Sequence, residues 1–153
     1  MDTELPLVLL VEDNPDDEVM VRRAMERTAA RAELIVAHSG PEALELVHGK
    51  SFESVVPRLQ LVFLDQSLPI VSGPDVLRAI RSDRRTRMIP IVMLTSSTNE
   101  DELASAYESG ANGYVRKPVD YADFMRALEK ALAYWLSVNV PYPASVPEGL
   151  FFG

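Results

Sequence analysis

The sequence predicts a doubly wound α/β fold, one five-stranded parallel sheet with helices on both faces. Three observations predict it. Short, nearly continuous apolar runs rich in Val, Ile and Leu recur five times, as expected of strands buried on both faces of a parallel sheet. Longer amphipathic stretches separate them, and right-handed crossovers then place helices on both sides. The length, 153 residues with 47% hydrophobic and 25% charged, suits a single globular domain with one sizeable core.

The apolar runs are Leu7–Val11, Leu34–Ala37, Leu59–Leu64, Ile91–Leu94 and Gly113–Val115. The first helix opens at Asn14-Pro15, with Asn14 as N-cap and Pro15 at the first helical position. Asp16, Asp17 and Glu18 follow, complementing the positive end of the helix dipole. Pro41 and Pro74 open the second and third helices in the same way. The fourth begins near Ser97-Thr98-Asn99-Glu100, a capping-box pattern, and stops before Gly110. The fifth runs from Tyr121 to about Asn139. Its Phe124, Ala127, Leu128, Ala131, Leu132 and Trp135 form one core-facing stripe. Residues 49–58 read as a looser stretch, and residues 140–153, with three prolines, as a tail following a domain of residues 1–139.

Composition excludes several chemistries. With no cysteine and only His38 and His48, there is no disulfide, thiolate nucleophile, Cys-ligated zinc or multi-histidine metal site. Both histidines read as ordinary surface residues. The net charge of −8 repels duplex DNA and anionic membranes, so neither is an expected partner. No apolar run approaches the ~18 residues of a membrane span. The start Met1-Asp2-Thr3-Glu4 is acidic where a signal peptide is basic, and the expected location is the cytoplasm.

In an open α/β sheet the active crevice lies at the carboxyl ends of the strands. Glu12 and Asp13 follow the first run, Asp65 the third, Thr95, Ser96 and Ser97 the fourth, and Arg116, Lys117 and Pro118 the fifth. Three carboxylates held together raise one another's pKa and call for a cation. Oxygen ligands alone favour a hard ion, and Mg²⁺ fits because it takes few carboxylates and also binds phosphate. Lys117 supplies a second positive charge. Such a site suits a dianionic group beside a carboxylate, and an aspartate can accept a phosphoryl group as an acyl phosphate.

Leu9-Leu10-Val11-Glu12-Asp13-Asn14, Leu64-Asp65-Gln66-Ser67-Leu68-Pro69, Ser72-Gly73, Met93-Leu94-Thr95-Ser96, Gly110-Ala111 and Tyr114-Val115-Arg116-Lys117-Pro118 resemble, in order and spacing, the receiver domain of two-component response regulators. The resemblance covers roughly residues 5–135 and implies a flavodoxin-like sheet of strand order 2-1-3-4-5. It implies Asp65 as phosphoacceptor, with Mg²⁺ held by Glu12, Asp13, Asp65 and the backbone carbonyl of Ser67. Lys117, Thr95 and Ser96 are then the phosphoryl contacts, Lys117 pairing with Asp65 before phosphorylation. Thr95 and Tyr114 become the switch pair, and Ser67 and Ser97 the side chains that tune dephosphorylation. A cis Lys117–Pro118 bond is also implied. Gln66 departs from the family, which often has a small or apolar residue there.

The implied function is a single-domain regulator, not an enzyme, that takes its phosphoryl group from a sensor histidine kinase docking on the first helix near Val19, Met20 and Arg23. Tyr134-Trp135-Leu136 followed by Val140-Pro141 resembles stand-alone receivers paired with phytochrome-type, light-sensing kinases. With Tyr142, Phe151 and Phe152 it gives the tail apolar weight that suits packing back on the domain or a contact with a partner, and a homodimer through the fourth and fifth βα units and the tail is expected. Competing readings fit less well. An aspartate-nucleophile phosphatase commonly carries a second Asp where Ser67 stands. A flavin or nucleotide site needs phosphate-binding amides where this chain has Glu12-Asp13-Asn14. A dimerisation module that has abandoned phosphorylation has no use for the intact acidic set.

Overall fold

A computed structural model of the chain describes residues 4–143. Five parallel strands, β1 (Leu7–Val11), β2 (Glu33–Ala37), β3 (Leu59–Asp65), β4 (Ile91–Thr95) and β5 (Gly113–Arg116), form one sheet in the order β2-β1-β3-β4-β5. The period-two alternation of each strand divides the core into two layers. Leu7, Leu9 and Val11 share one layer with Val62, Leu64, Ile91 and Met93. Val8 and Leu10 share the other with Leu61, Phe63, Val92 and Leu94. The central strands are buried except at Gln60 of β3, whereas edge strands β2 and β5 are half-exposed.

Helices α1 (Pro15–Arg27) and α5 (Tyr121–Ala133) cover the layer around Phe63; α2 (Gly40–His48), α3 (Gly73–Ser82) and α4 (Glu100–Glu108) cover the layer around Leu64. Each start is fixed by a side-chain cap, as the prolines and polar residues suggest. Asn14 Oδ1 accepts from Asp16 N at 2.9 Å, Ser39 Oγ from Glu42 N at 3.2 Å and Ser72 Oγ from Asp75 N at 3.3 Å. The α4 cap is Asn99, whose Oδ1 takes the amides of Asp101 and Glu102 at 2.8 and 3.2 Å.

Three expectations are corrected. Residues 49–58 are not loose: Phe52–Val55 forms a short helix and Val56–Arg58 a 3-10 turn, with the Arg85 guanidinium 4.3 Å from the Phe52 ring centre. The last helix is α-helical only to Ala133. From Tyr134 to Val138 it widens to a π-helix, closed by Asn139 N donating to Tyr134 O at 2.7 Å. The wider turn still seats Trp135 and Leu136 against the core, with Gln60 Nε2 donating to the Trp135 carbonyl at 3.3 Å. There is also no cis peptide bond among the described residues, so Lys117–Pro118 is trans. Trans is the lower-energy isomer of an X–Pro bond, and from it Lys117 still reaches the acidic cluster.

Of the tail, Val140–Pro143 is described; Val140 and Tyr142 are exposed. Phe151 and Phe152 lie outside the described residues. No helix among the described residues is long and apolar enough to cross a membrane.

Candidate functional site at the carboxyl edge of the sheet

Asp65 and Thr95 are the last residues of β3 and β4, one position further inside the strands than the apolar runs suggest. Both are buried, Asp65 at 6% and Thr95 at 2% exposure. Asp65 is held by its backbone: it pairs with Leu94 across the sheet, and the next residue, Gln66, donates to the Leu94 carbonyl at 3.1 Å. Gly73, at the start of α3, lets the helix approach this strand end. A Cβ there stands 2.1 Å from the Asp65 carbonyl oxygen, a contact no side chain tolerates.

Glu12 is almost fully buried, Asp13 exposed, and carboxylate oxygens of Glu12, Asp13 and Asp65 lie within 4.8 Å of one another. Oxygen donors at that spacing suit a hard divalent cation. The Lys117 ammonium reaches in from the β5–α5 loop. It lies 2.8 Å from Glu12 Oε2, 2.8 Å from Asp17 Oδ2 and 3.5 Å from Asp65 Oδ1. The expected pairing with Asp65 is therefore present but is the longest of three. Its backbone is anchored too, with Lys117 N donating to the Thr95 carbonyl at 2.7 Å.

The electrostatics follow from these contacts. Burial pushes the Glu12 carboxyl up to about 7, helped by the neighbouring Asp65 and opposed by Lys117. Burial also works against the Lys117 charge, but the carboxylates of Asp17, Glu12 and Asp65 outweigh it and hold the lysine above its ordinary value. Both values thus rise, which favours the neutral form of Glu12 and the charged form of Lys117. The lysine is shared by three carboxylates and keeps its charge, while Glu12 is the group that takes up a proton when only one ammonium is at hand.

The other expected residues fall around this centre. Ser67 is exposed in the loop after β3, its amide donating to Asp65 Oδ1 at 3.4 Å. Ser96 is exposed and Ser97 half-buried; Ser97 N donates to Thr95 Oγ1 at 3.0 Å. Tyr114 points inward from β5 and packs against the core. Burial, and then the charge of Glu102, push its phenol above its ordinary value, opposed by the nearby Thr95 hydroxyl. On the first helix Val19 and Arg23 are exposed, but Met20 is 5% exposed and belongs to the core, so it is removed from the expected docking face. His38 is exposed and pairs with Glu18 at 2.8 Å, as a surface residue does.

Asp17 is the site residue that sequence reasoning misses. It reads as a helix N-terminal charge, yet it shares Lys117 with Glu12. The signal is helical geometry: three residues past the Asn14 cap, Asp17 lies on the turn of α1 beside the end of β1.

Comparison with known proteins agrees with this geometry. Residues 8–129 match the family described as the response regulator receiver domain. The probable methanogenesis regulatory protein FilR2 of Methanothrix harundinacea is 38% identical over 144 residues, covering 90% of this chain and 89% of that one. The response regulator Rcp1 of Synechocystis is 31% identical over 139 residues, covering 91% and 94%. Its Mn²⁺-bound crystal structure superposes with a TM-score of 0.82 at 30% identity over 90% of this chain and 99% of that one. The phosphorylated cyanobacterial phytochrome response regulator RcpA gives 0.83 at 28% identity, over 90% and 98%.

Proposed function

The chain belongs to the response regulator receiver family of two-component signalling, and from that premise we propose that it is a phosphorylation switch whose acceptor is Asp65, supplied by a sensor histidine kinase. The observation that carries the reading is the cluster itself: oxygens of Glu12, Asp13 and Asp65 within 4.8 Å of one another, with one ammonium touching two of the three.

The cognate metal is Mg²⁺, held by Glu12, Asp13, Asp65 and the Ser67 carbonyl; the Mn²⁺-bound structure of Rcp1 supports this. A cation held by these residues would supply positive charge to the phosphoryl oxygens beside the acceptor. The Asp65 oxygen attacks phosphorus, an O–P bond forms, the N–P bond of the donor phosphohistidine breaks, and the imidazole leaves. Lys117 balances charge on the transferred group. Thr95, with Ser96 beside it, turns its hydroxyl onto the phosphoryl group, and Tyr114 reports the move to the α4–β5–α5 face. Ser67 and Ser97, small and polar, leave water a path to the acyl phosphate and set its lifetime. In this reading the chain acts by binding rather than as an enzyme.

The partner kinase is a phytochrome-type light sensor, a reading supported by the likeness to RcpA. It docks on α1 through Val19 and Arg23. Residues 1–139 are read as the receiver domain followed by a tail, and the surface of α4, β5 and α5 as the contact of a homodimer. The protein works in the cytoplasm, without nucleic acid or membrane as partner.

The test is incubation with Mg²⁺ and acetyl phosphate, followed by chemical trapping and mass mapping. One phosphoryl group is expected on Asp65, lost in Asp65→Asn and on removal of the metal. An unmodified Asp65 under saturating donor and Mg²⁺ refutes the reading. Sizing with and without residues 134–153 tests the dimer.

A further inference from the structure

Three buried side-chain atoms have no hydrogen bond of good geometry among the described residues: Gln66 Oε1, Glu102 Oε2 and the Tyr114 hydroxyl, although the Thr95 hydroxyl stands near enough to act on that phenol. Two of them belong to elements that pack directly on each other. Helix α4 lies against β5, with the Tyr107 and Tyr114 ring centres 6.4 Å apart. Glu102 sits one helical turn before Ala106, and Ala106 is 2% exposed in the core layer that Tyr114 packs against. Residues four apart share a helix face, so Glu102 is turned toward the sheet.

Local sequence offers Glu102 a different role. It stands three residues after the Asn99 cap, where a glutamate closes a capping box by accepting the cap residue's own N–H. That bond is already taken: Asn99 N donates to Ser97 Oγ at 3.1 Å. Ser97 is itself fixed by its amide bond to Thr95 Oγ1. The turn from Thr95 to Asn99 therefore relieves Glu102 of capping and leaves a buried carboxylate oxygen needing a donor. Such an oxygen is costly if nothing fills the vacancy, and a phenol O–H is a fitting donor. The carboxylate is close enough for its charge to act on Tyr114.

We propose that Glu102 is a positioning residue of the switch, its carboxylate accepting the Tyr114 hydroxyl as Thr95 moves to the phosphoryl group and so fastening α4 to β5. This rests on the phosphorylation reading above and deepens it. The inward tyrosine belongs to the state that accepts the phosphoryl group, so a variant that depletes this state is modified more slowly in proportion.

The experiment measures Asp65 modification by acetyl phosphate and Mg²⁺ in the full chain, for wild type, Glu102→Ala, Glu102→Gln, Tyr114→Phe and the Glu102→Ala/Tyr114→Phe double variant. Removing either partner should slow modification about fivefold, the worth of one hydrogen bond, and the double variant should be no slower than the slower single. Glu102→Gln, whose amide oxygen still accepts, should keep most of the rate. In fluorotyrosine-labelled protein the Tyr114 resonance should stay buried on phosphorylation in wild type and shift toward the exposed position in Glu102→Ala. A wild-type rate in Glu102→Ala, or a slowing that persists undiminished in the Tyr114→Phe background, overturns the proposal while leaving Asp65 as acceptor. Failure of wild type to be modified removes the parent reading instead.

Discussion

The amino and carboxyl edges of the sheet each hold a partly buried cation, and they use it in opposite ways. At the amino edge Arg81 donates from Nε to Gly110 O at 2.8 Å, from Nη1 to Arg87 O and Ile89 O at 3.0 and 2.8 Å, and from Nη2 to Asn112 Oδ1 at 2.7 Å. Asn112 Oδ1 also receives Ile91 N at 2.8 Å, tying the loops before β4 and β5 together. Every acceptor there is neutral and matched. At the carboxyl edge Lys117 faces three carboxylates, and Gln66, Glu102 and Tyr114 each leave a buried atom unpaired. The amino edge is a finished structure, while the carboxyl edge is held short of satisfaction, as expected where charge must arrive and side chains must move.

The largest expected effect tests the finished edge. Arg81→Met takes the guanidinium from three carbonyls and one of two donors from the Asn112 amide oxygen, which should cost about 3 kcal/mol in urea unfolding. Mg²⁺ affinity of the folded variant should not change. A loss below about 1 kcal/mol means that water replaces the guanidinium, and the contrast between the edges then fails.

Lys117→Met probes the other edge. Losing the ammonium that Glu12, Asp17 and Asp65 share among the described residues should lower metal-free stability by about 1–2 kcal/mol. It should also tighten Mg²⁺ about tenfold, because the ion no longer competes with a resident cation. The signs are opposite, and titration calorimetry with thermal melts reads both. Weaker Mg²⁺ binding in this variant means that the lysine orders the carboxylates rather than competing for them.

Much of this arrangement was legible in the sequence. Asp65, Glu12, Asp13, Thr95 and Lys117 could be assembled on one edge because strand ends are marked by the close of an apolar run, and a parallel sheet puts all those ends together. Asp17 and Glu102 were not legible. Each sits in the first turn of a helix, where an acid has a sufficient local reason to be present, so its long-range partner is hidden. Arg81 was missed for a related reason. Its acceptors are mostly backbone carbonyls, and any residue supplies a carbonyl.

The pH dependence of the metal-free protein separates the edges further. Glu12 has a folded-state value near 7 against an ordinary 4.5. Between those values the folded protein holds a proton that the unfolded chain has lost, so stability falls as pH rises through that window. Melting temperature should therefore drop from pH 5 to 7.5 and flatten in Glu12→Gln. Mg²⁺ should reverse the slope, since binding displaces the proton and strengthens with pH. A metal-free melting temperature that rises through this window contradicts the protonation assigned to Glu12.

The smallest effect concerns strain in the loop that leaves Asp65. Ile70 has φ of +69°, and Val71 N donates to Pro69 O at 2.8 Å, closing a tight left-handed γ-turn around it. A β-branched residue in that region costs about 1–2 kcal/mol. Ile70 is 89% exposed, so removing its side chain forfeits little burial. Ile70→Gly relieves the strain but adds up to about 1 kcal/mol of unfolded-chain entropy. The balance should be a gain of about 0.5 kcal/mol in urea unfolding with an unchanged slope. Stabilisation by removing a large apolar side chain has few explanations other than backbone strain. A loss instead means that Ile70 is supported by contacts its exposure hides, and the carboxyl edge is then less strained than its backbone indicates.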